Sequence, residues 1–142
     1  MRTLGLDLGT KTLGLAISDR TNTITSPLKT IIYNGNYDYL LDELAKVISE
    51  HQVGTLVLGL PKNMDNSLGF ASERSMNFKE MLDKRFNIDT ILIDERLSTV
   101  EAENILINND MRRNNRKKVI DSVAAMIILD TYIRRENNGK QE

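Results

Sequence analysis

Residues 2–19, RTLGLDLGTKTLGLAISD, constrain the fold more than any other part of the chain. Three leucines alternate with two glycines and one acid, Asp7, and this period of two predicts a strand with one bulky face and one nearly bare face. The Gly-Thr-Lys-Thr that follows predicts a tight turn, and residues 12–19 predict a second strand, paired with the first as a hairpin. A buried carboxylate is costly without a partner, so three environments remain open for Asp7: a metal ion, a nucleotide phosphate or solvent.

The pattern beyond this hairpin predicts that the sheet continues. Residues 24–33 predict a third strand, and Pro27 near its start favours the sheet edge. The apolar spacing then becomes helical, and a crossover helix makes each later strand parallel to the first. The later elements are predicted as a helix at 37–51, a strand at 55–60, a loop at 61–69, a helix at about 69–86, a strand at 90–94, a helix at about 98–107 and a helix at about 118–135.

This order of elements predicts an α/β fold with one five-stranded mixed sheet. Three antiparallel strands come first, parallel strands follow, and helices cover both faces of the sheet. We expect a single domain over residues 1–136 and a disordered tail over residues 137–142.

Composition excludes several classes of protein. The 142 residues contain no cysteine, which excludes a disulfide framework and a thiolate metal site. No apolar run approaches the roughly 20 residues of a membrane span, and Asp7 interrupts the amino-terminal segment before a signal-peptide core forms. We therefore expect a cytoplasmic protein without a membrane partner. The net charge is −1, but residues 112–118 read RRNNRKK, a basic run for which a solvated loop is the simpler interpretation.

Acids lie beside apolar sequence at three places. Asp7 lies in the first strand, Asp94 and Glu95 follow one another at the end of the last strand, and Asp121 aligns with an apolar stripe of the last helix. Successive strand residues face opposite sides, so only one of Asp94 and Glu95 shares the side of Asp7, and periodicity does not choose between them. Each acid alone also fits a structural role: a turn cap, an exposed strand end, or a first-turn acid favoured by the helix dipole.

If the three acids converge, they must share protons or bind a cation. Carboxylates about 4 Å apart repel by roughly 4 kcal/mol per pair at an effective dielectric near 20. Oxygen ligands without cysteine favour Mg²⁺ or Mn²⁺ over zinc, and an open carboxylate triad that holds two divalent ions suits phosphodiester hydrolysis. His51, the one histidine, falls at the end of the first predicted helix, where a surface position is the simpler interpretation.

Four motifs resemble, in order and spacing, those of the YqgF family. They are DLGTKTLGLAISD, LGLPKNMDNS, DERLST and KKVIDSVAAMIIL, and the resemblance covers about residues 2–134. The family consists of bacterial RuvC-like proteins of the ribonuclease H superfamily, described as Holliday junction resolvases and as pre-16S ribosomal RNA nucleases. The resemblance implies a ribonuclease H-like fold, a divalent metal, a cytoplasmic location and a role in maturing the 5′ end of 16S ribosomal RNA.

The resemblance also assigns the site. The catalytic and metal-binding acids of the family map to Asp7, Glu95 and Asp121, so the resemblance selects Glu95 over Asp94. Unlike the better-known resolvases, the chain has no carboxylate at the end of the strand at 55–60, and its second acid lies on the next strand. Resolvase activity therefore does not follow from the resemblance.

Basic residues near these acids are predicted to contact substrate. Lys11 follows Asp7 by one turn, and Arg96 comes just after the last strand, where a guanidinium can bind a phosphate through two hydrogen bonds. A solvated lysine and an ion pair of Arg96 with Asp94 are the competing interpretations. The basic segment leads into the last helix and is predicted to contact the nucleic-acid backbone. Its cations are Arg112, Arg113, Arg116, Lys117 and Lys118.

The sequence favours a metal-dependent nuclease that acts on structured RNA, with 5′-end processing of pre-16S ribosomal RNA as its role. A resolvase-like endonuclease acting on branched DNA and a non-catalytic nucleic-acid-binding factor are the alternatives. The Asp-Leu-Gly-Thr motif also begins the phosphate-binding loop of actin, Hsp70 and sugar kinases, but those proteins use two such lobes and 142 residues hold one. We expect a monomer or a weak homodimer, and a resolvase would need a symmetric dimer to cut two strands.

Overall fold

The amino-terminal hairpin lies at the centre of a five-stranded sheet in the computed structural model of the chain. The structure describes the backbone of residues 1–61, 70–95 and 113–140, and side chains within 1–60, 72–93 and 121–137. In these ranges the strands are β1 (Arg2–Leu8), β2 (Thr12–Ser18), β3 (Thr25–Ile32), β4 (Val53–Pro61) and β5 (Asp89–Glu95), and the helices are α1 (Tyr37–His51), α2 (Phe70–Arg85) and α3 (Arg113–Lys140).

The sheet is mixed, as the sequence predicts. Its strand order is β3-β2-β1-β4-β5. β2 pairs antiparallel with both β1 and β3, whereas β4 runs parallel to β1 and β5 runs parallel to β4. Pro27 lies in the edge strand β3, where a residue without an N–H is tolerated. The predicted hairpin and the predicted helical crossover into β4 are both confirmed.

Side chains of the strands alternate between two apolar layers. On one side, the leucines of β1, β2 and β4 pack against α1 and α2, through residues that include Leu40, Leu44, Phe78 and Leu82. On the other side, a smaller layer joins the strands to α3. The members of this second layer are Ala16, Val57, Ile93, Ala125, Ile128, Leu129 and Ile133. The sheet therefore carries helices on both faces, which confirms the predicted fold class.

The ends of α1 follow from local chemistry. Asn36 precedes the helix, and its side-chain oxygen accepts a hydrogen bond from the backbone N–H of Tyr39 at 3.1 Å. At the other end, Gln52 adopts the left-handed conformation (φ 54°, ψ 54°), and its N–H donates to the backbone oxygen of Ile48. Glycine is the residue that adopts this conformation without cost, so a glutamine here carries conformational strain.

α3 lies closer to the sheet than ordinary side chains would permit. A Cβ atom on Gly14 would lie 2.1 Å from the backbone oxygen of Asp121, and one on Gly5 would lie 2.7 Å from that of Ala125. Four residues of a helix span about 6 Å and two residues of a strand about 6.7 Å. Asp121 and Ala125 therefore lie over two pairs of the β1–β2 ladder that are two residues apart, and a glycine in each pair makes the contact possible.

α3 is longer at both ends than the sequence predicts. It begins at Arg113 rather than at 118, and it continues to Lys140 rather than ending at 135. Residues 137–140, which the sequence assigned to a disordered tail, are helical. The sequence did not predict this, because a helix that extends past the edge of the sheet has no buried face and shows no apolar periodicity there. Residues 62–69 and 141–142 and the predicted helix at 98–107 lie outside the described residues. Despite its length, α3 is too polar to cross a bilayer, and none of the described helices combines the required length and apolar content.

Replacing Gly14 by alanine is expected to destabilise the fold, because the new Cβ would overlap the backbone of Asp121. Overpacking a closed core costs about 1–3 kcal/mol, and we expect a loss of this size in the free energy of unfolding, measured by urea denaturation. Gly9→Ala is the matched control, since its Cβ would meet nothing nearer than the backbone oxygen of Thr12 at 3.4 Å. Equal stability of the two variants would contradict the close approach of α3.

Candidate active site

Asp7 projects from β1 on the side that α3 covers. Gly5, two residues earlier in the strand, lies directly beneath Ala125 of α3, and strand residues two apart share a face. The leucines of β1 belong to the opposite layer. Asp7 itself is half-buried and lies one residue before the end of β1. The bare face predicted from the sequence is therefore the face turned toward α3.

Asp121 reaches the same place across one glycine. Asp7 pairs with Gly14 in the β1–β2 ladder, and the backbone of Asp121 lies directly over Gly14. Opposite residues of an antiparallel pair have Cβ positions about 4.5–5.5 Å apart, so the missing side chain at Gly14 brings α3 down beside Asp7. The first turn of α3 contains no acid, which excludes the alternative role of Asp121 as a first-turn helix acid.

Thr12 holds one oxygen of Asp121. Its hydroxyl donates a hydrogen bond to Oδ2 of Asp121 at 2.8 Å, between two half-buried residues that lie 109 positions apart in the chain. Hydrogen bonds to carboxylates are shorter and stronger than those between neutral groups. The bond therefore ties the carboxylate to the turn after β1. Sequence reasoning did not single out Thr12, although it lies within the Gly-Thr-Lys-Thr turn.

Tyr33 fixes the turn between β1 and β2. The N–H of Gly9 donates to the oxygen of Thr12 at 2.8 Å, and the N–H of Tyr33 donates to the oxygen of Lys11 at 2.9 Å. The hydroxyl of Tyr33 donates to the backbone oxygen of Gly9. Burial raises the pKa of Tyr33 above its ordinary value, and the neighbouring side chain of Tyr37 raises it further. Sequence reasoning missed this residue, because nothing in the sequence links the end of β3 to the first turn.

Lys11 lies at the exposed tip of this turn. Its backbone oxygen accepts hydrogen bonds from the N–H groups of Tyr33 and Asn34, at 2.9 and 3.1 Å. The backbone of Lys11 is therefore held in place while its side chain is exposed to solvent. This position suits the predicted contact with substrate, and a solvated lysine also fits it.

Glu95, the third predicted acid, is the last residue of β5. Its backbone pairs with Pro61 of β4, and Ile93, two residues earlier, packs in the layer against α3. The side chains of Asp94 and Glu95 lie outside the described residues. The selection of Glu95 over Asp94 therefore stays a prediction.

Most of the predicted substrate-binding cations lie outside the described side chains. Arg96 and Arg112 lie outside the described backbone as well. The other four cations of the basic segment, Arg113, Arg116, Lys117 and Lys118, belong to the first two turns of α3. The basic run from residue 113 onward is thus helical, rather than the solvated loop of the simpler interpretation.

The donor atoms on this face fit a hard divalent cation. Asp7 and Asp121 offer carboxylate oxygens, the chain has no cysteine, and His51 ends α1 at the opposite end of the sheet. Such oxygen donors favour Mg²⁺ or Mn²⁺ over zinc. Within the described side chains, no three histidine or acidic groups cluster in the way that a metal site requires, and Glu95 is outside that set.

Comparison with known proteins identifies relatives over nearly the whole chain. A family model described as "RuvX: Holliday junction resolvase" matches residues 1–135. A protein of Staphylococcus epidermidis, named "Putative pre-16S rRNA nuclease", is 49% identical over 132 residues, which cover 92% of this chain and 93% of that protein. The residue range that the family model matches contains the positions of all three predicted acids.

Two solved structures share the fold. Thermus thermophilus RuvC in complex with Holliday junction substrate has a TM-score of 0.58 at 10% identity and covers 96% of this chain and 95% of that one. The fowlpox virus Holliday junction resolvase has a TM-score of 0.56 at 16% identity and covers 95% of this chain and 99% of that one. At such identities the likeness concerns the fold alone, and it confirms the predicted ribonuclease H-like architecture.

Thr12→Val keeps the shape of the side chain but removes the donor to Asp121. We expect the free energy of unfolding to fall by about 1.5 kcal/mol, the lower end for a hydrogen bond to a charged group, because Thr12 is half-buried. Thr12→Ser keeps the hydroxyl and is the control in the same urea titration. If valine and serine cost the same, the hydrogen bond does not stabilise the fold.

Tyr33→Phe removes an ionisable group whose pKa the fold raises. The unfolded chain releases this proton near pH 10, whereas the folded protein keeps it to higher pH. Stability that is fully present below pH 10 is therefore lost as the pH rises toward the folded pKa. We expect the free energy of unfolding of the unsubstituted protein to fall more steeply above pH 10 than that of Tyr33→Phe. Parallel curves for the two proteins would contradict this account.

Proposed function

Because the chain belongs to the RuvX family of Holliday junction resolvases, we propose that it is a divalent-metal-dependent nuclease whose substrate is precursor 16S ribosomal RNA. The observation that carries the proposal is that Asp121 of α3 lies over Gly14, which is the ladder partner of Asp7, on one face of the sheet. Two carboxylates held side by side repel each other, and a bound cation relieves that repulsion. Glycine, which costs the strand stability, makes this meeting possible.

Glu95 is the third acid of the proposed site. Ile93 belongs to the layer against α3. Because strand residues two apart share a face, position 95 lies on the same side as Ile93 and position 94 does not. β1, β4 and β5 are parallel, so Asp7 and Glu95 lie near the carboxyl ends of strands that end at the same edge of the sheet. Ligands of open α/β sheets bind at this edge.

The three acids would hold Mg²⁺ or Mn²⁺. Such an ion, when bound, activates water and stabilises the leaving oxygen in phosphodiester hydrolysis. The other residues of the site hold the acids in position. Thr12 keeps the carboxylate of Asp121 in one orientation, and Tyr33 holds the turn that carries Thr12. Gly9, with no side chain, leaves the backbone beside Asp7 accessible to a substrate strand.

The proposed RNA contacts lie near the acids in the chain. Lys11 is exposed at the tip of the adjoining turn, Arg96 follows Glu95 directly in the sequence, and the basic segment of residues 112–118, helical from Arg113, precedes Asp121. Cations in these positions suit phosphate contacts, which position a nucleic acid without reading its sequence. Aromatic residues make up only 5% of the chain, so recognition depends on backbone and shape more than on base stacking.

Sequence similarity favours RNA over branched DNA as the substrate. The relative at 49% identity is named for pre-16S rRNA, whereas the proteins named for Holliday junctions among the solved structures share only 10–16% identity. Cleavage of a four-way DNA junction remains the second candidate, since the family model is named for it. The proposal includes one catalytic domain over residues 1–136, a monomer or weak homodimer, and a cytoplasmic location, where bacterial ribosomal RNA is processed.

Asp7→Asn is expected to lower the cleavage rate by at least about 100-fold, the scale for losing one preorganised electrostatic contact, while RNA binding is retained. The assay compares precursor 16S RNA with a four-way DNA junction, with Mg²⁺, with Mn²⁺ and with chelator alone. Cleavage should disappear in chelator and return with either ion. Unchanged cleavage by Asp7→Asn would remove Asp7 from the site, and preferential cleavage of the junction would replace RNA by DNA as substrate.

Glu95→Gln and Asp94→Asn form a matched pair for the third acid. Each variant removes one negative charge from the end of β5. We expect Glu95→Gln to lower cleavage as strongly as Asp7→Asn does and Asp94→Asn to stay within about threefold of the unsubstituted protein. The opposite order would assign the site to Asp94 and contradict the strand alternation that starts from Ile93.

A further inference from the structure

A cavity of about 150 Å³ lies at the end of the sheet opposite the acids. It forms where β1 begins and α1 ends, and one of its residues comes from the turn after β2. Along β1, Arg2 and Asp7 are five residues apart, about 17 Å. The residues that line this cavity, called here the Arg2 cavity, are Met1, Arg2, Arg20, His51 and Gln52.

The lining of the Arg2 cavity is cationic and contains no carboxylate. Arg2 and Arg20 carry permanent positive charges, and the imidazole of His51 adds a hydrogen-bonding group. Asp19, next to Arg20 in sequence, uses its carboxylate within its own turn, where it accepts hydrogen bonds from the N–H and hydroxyl of Thr23, among others. Those bonds lower the pKa of Asp19 to about 2. The neighbouring acid is thus oriented toward its own turn rather than toward Arg20.

Arg2 is held ready for a ligand. Its Nη1 donates to the backbone oxygen of His51 at 3.3 Å, and its backbone N–H donates to the oxygen of Gln52 at 3.1 Å. The guanidinium has five N–H donors, and the bond to His51 uses one of them, so the others are available to a ligand. Among the described residues, the ion pairs involve neither Arg2 nor Arg20. A preset guanidinium without a carboxylate partner suits the oxygens of a phosphate, which it can bind through two hydrogen bonds.

Gln52 is a second and independent observation. It adopts the left-handed conformation at the end of α1, where glycine would fit without strain. The chain nevertheless places a side chain with an amide donor there, at the rim of the cavity. Gln52 therefore adds an amide group to the two guanidinium groups of the lining.

We propose that the Arg2 cavity binds a phosphate group, through the guanidinium groups of Arg2 and Arg20, with His51 and Gln52 as further hydrogen-bonding partners. The phosphate belongs either to the backbone of a bound nucleic acid or to a free phosphate compound. The site is separate from the acids in position and in charge. Only the nucleic-acid source rests on the proposed function, because a free phosphate would bind whether or not the protein cleaves RNA.

Inorganic phosphate is the probe for the first experiment. The full chain, labelled with ¹⁵N, is titrated with phosphate in chelator without divalent metal, against chloride at equal ionic strength. We expect saturable shifts of the backbone amides of Arg2, Arg20, His51 and Gln52, and chloride should not reproduce them. Shifts that are absent, that do not saturate, or that chloride reproduces would overturn the proposal.

Substitutions of Arg20 and Gln52 test the assigned residues. Arg2 is left unchanged, because its hydrogen bonds to His51 and Gln52 also stabilise the fold. Arg20→Gln should weaken phosphate binding at least fivefold, whereas Arg135→Gln, which removes an exposed charge that does not line the cavity, should leave it unchanged. Gln52→Gly should weaken phosphate binding without lowering Tm, because it relieves the left-handed strain. Equal loss in Arg20→Gln and Arg135→Gln would reduce the effect to net charge and overturn the assignment.

The source of the phosphate is decided by the salt dependence of RNA binding. Each phosphate contact to a single strand contributes about 0.7 to the slope of log K against log salt. A slope smaller by about this amount in Arg20→Gln, but not in Arg135→Gln, supports a nucleic-acid phosphate. An unchanged slope together with saturable phosphate binding supports a free phosphate compound. The Asp7→Asn protein gives the same phosphate titration if the two sites are separate, so failure of the nuclease proposal leaves this test standing.

Discussion

The close approach of α3 to the β1–β2 hairpin is the constraint on which the rest of the structure depends. Gly5 and Gly14 have no side chains, so the helix backbone contacts the sheet at two pairs of the β1–β2 ladder that are two residues apart. Ala16 and Ala125 continue this thin layer, whereas the opposite face of the sheet is filled by leucines. A helix that packs this closely has little freedom to slide, because a shift along its axis would place larger atoms over the glycines.

The same constraint determines where the acids meet. Asp121 lies over Gly14, and Gly14 is the ladder partner of Asp7, so the register of one hairpin aligns carboxylates that are 114 residues apart in the chain. The turn between the strands is part of the arrangement. Tyr33 holds it from the end of β3, and Thr12 extends from it to Asp121. The acids are therefore supported by two uncharged side chains, one at the start of β2 and one directly after β3.

The two ends of the sheet differ in chemistry. At the carboxyl ends of β1, β4 and β5 lie the acids and the proposed metal site, where open α/β sheets usually bind ligands. At the other end, where β1 starts and α1 finishes, the Arg2 cavity gathers positive charge without a carboxylate. The net charge of −1 hides this separation, since it averages over both ends. A nucleic acid that met both ends would find the proposed metal site at one and the proposed phosphate contact at the other.

The sequence by itself determined the fold class, because apolar residues at every second position indicate strands and apolar residues at helical spacing indicate helices. The glycines that alternate with leucines in the first strand also showed that one of its faces is bare. It also identified Asp7 and Asp121 as acids beside apolar sequence. It left Asp94 and Glu95 undecided by periodicity, since the preceding residues Ile91, Leu92 and Ile93 are all apolar and do not show which face of the strand is which. Only the tertiary structure decided which helix covers the bare face, that Gly14 is the point of contact with Asp121, and that Thr12 and Tyr33 support the site. Those relations join residues far apart in the chain, and no local pattern records them, because they arise from the packing of one element on another.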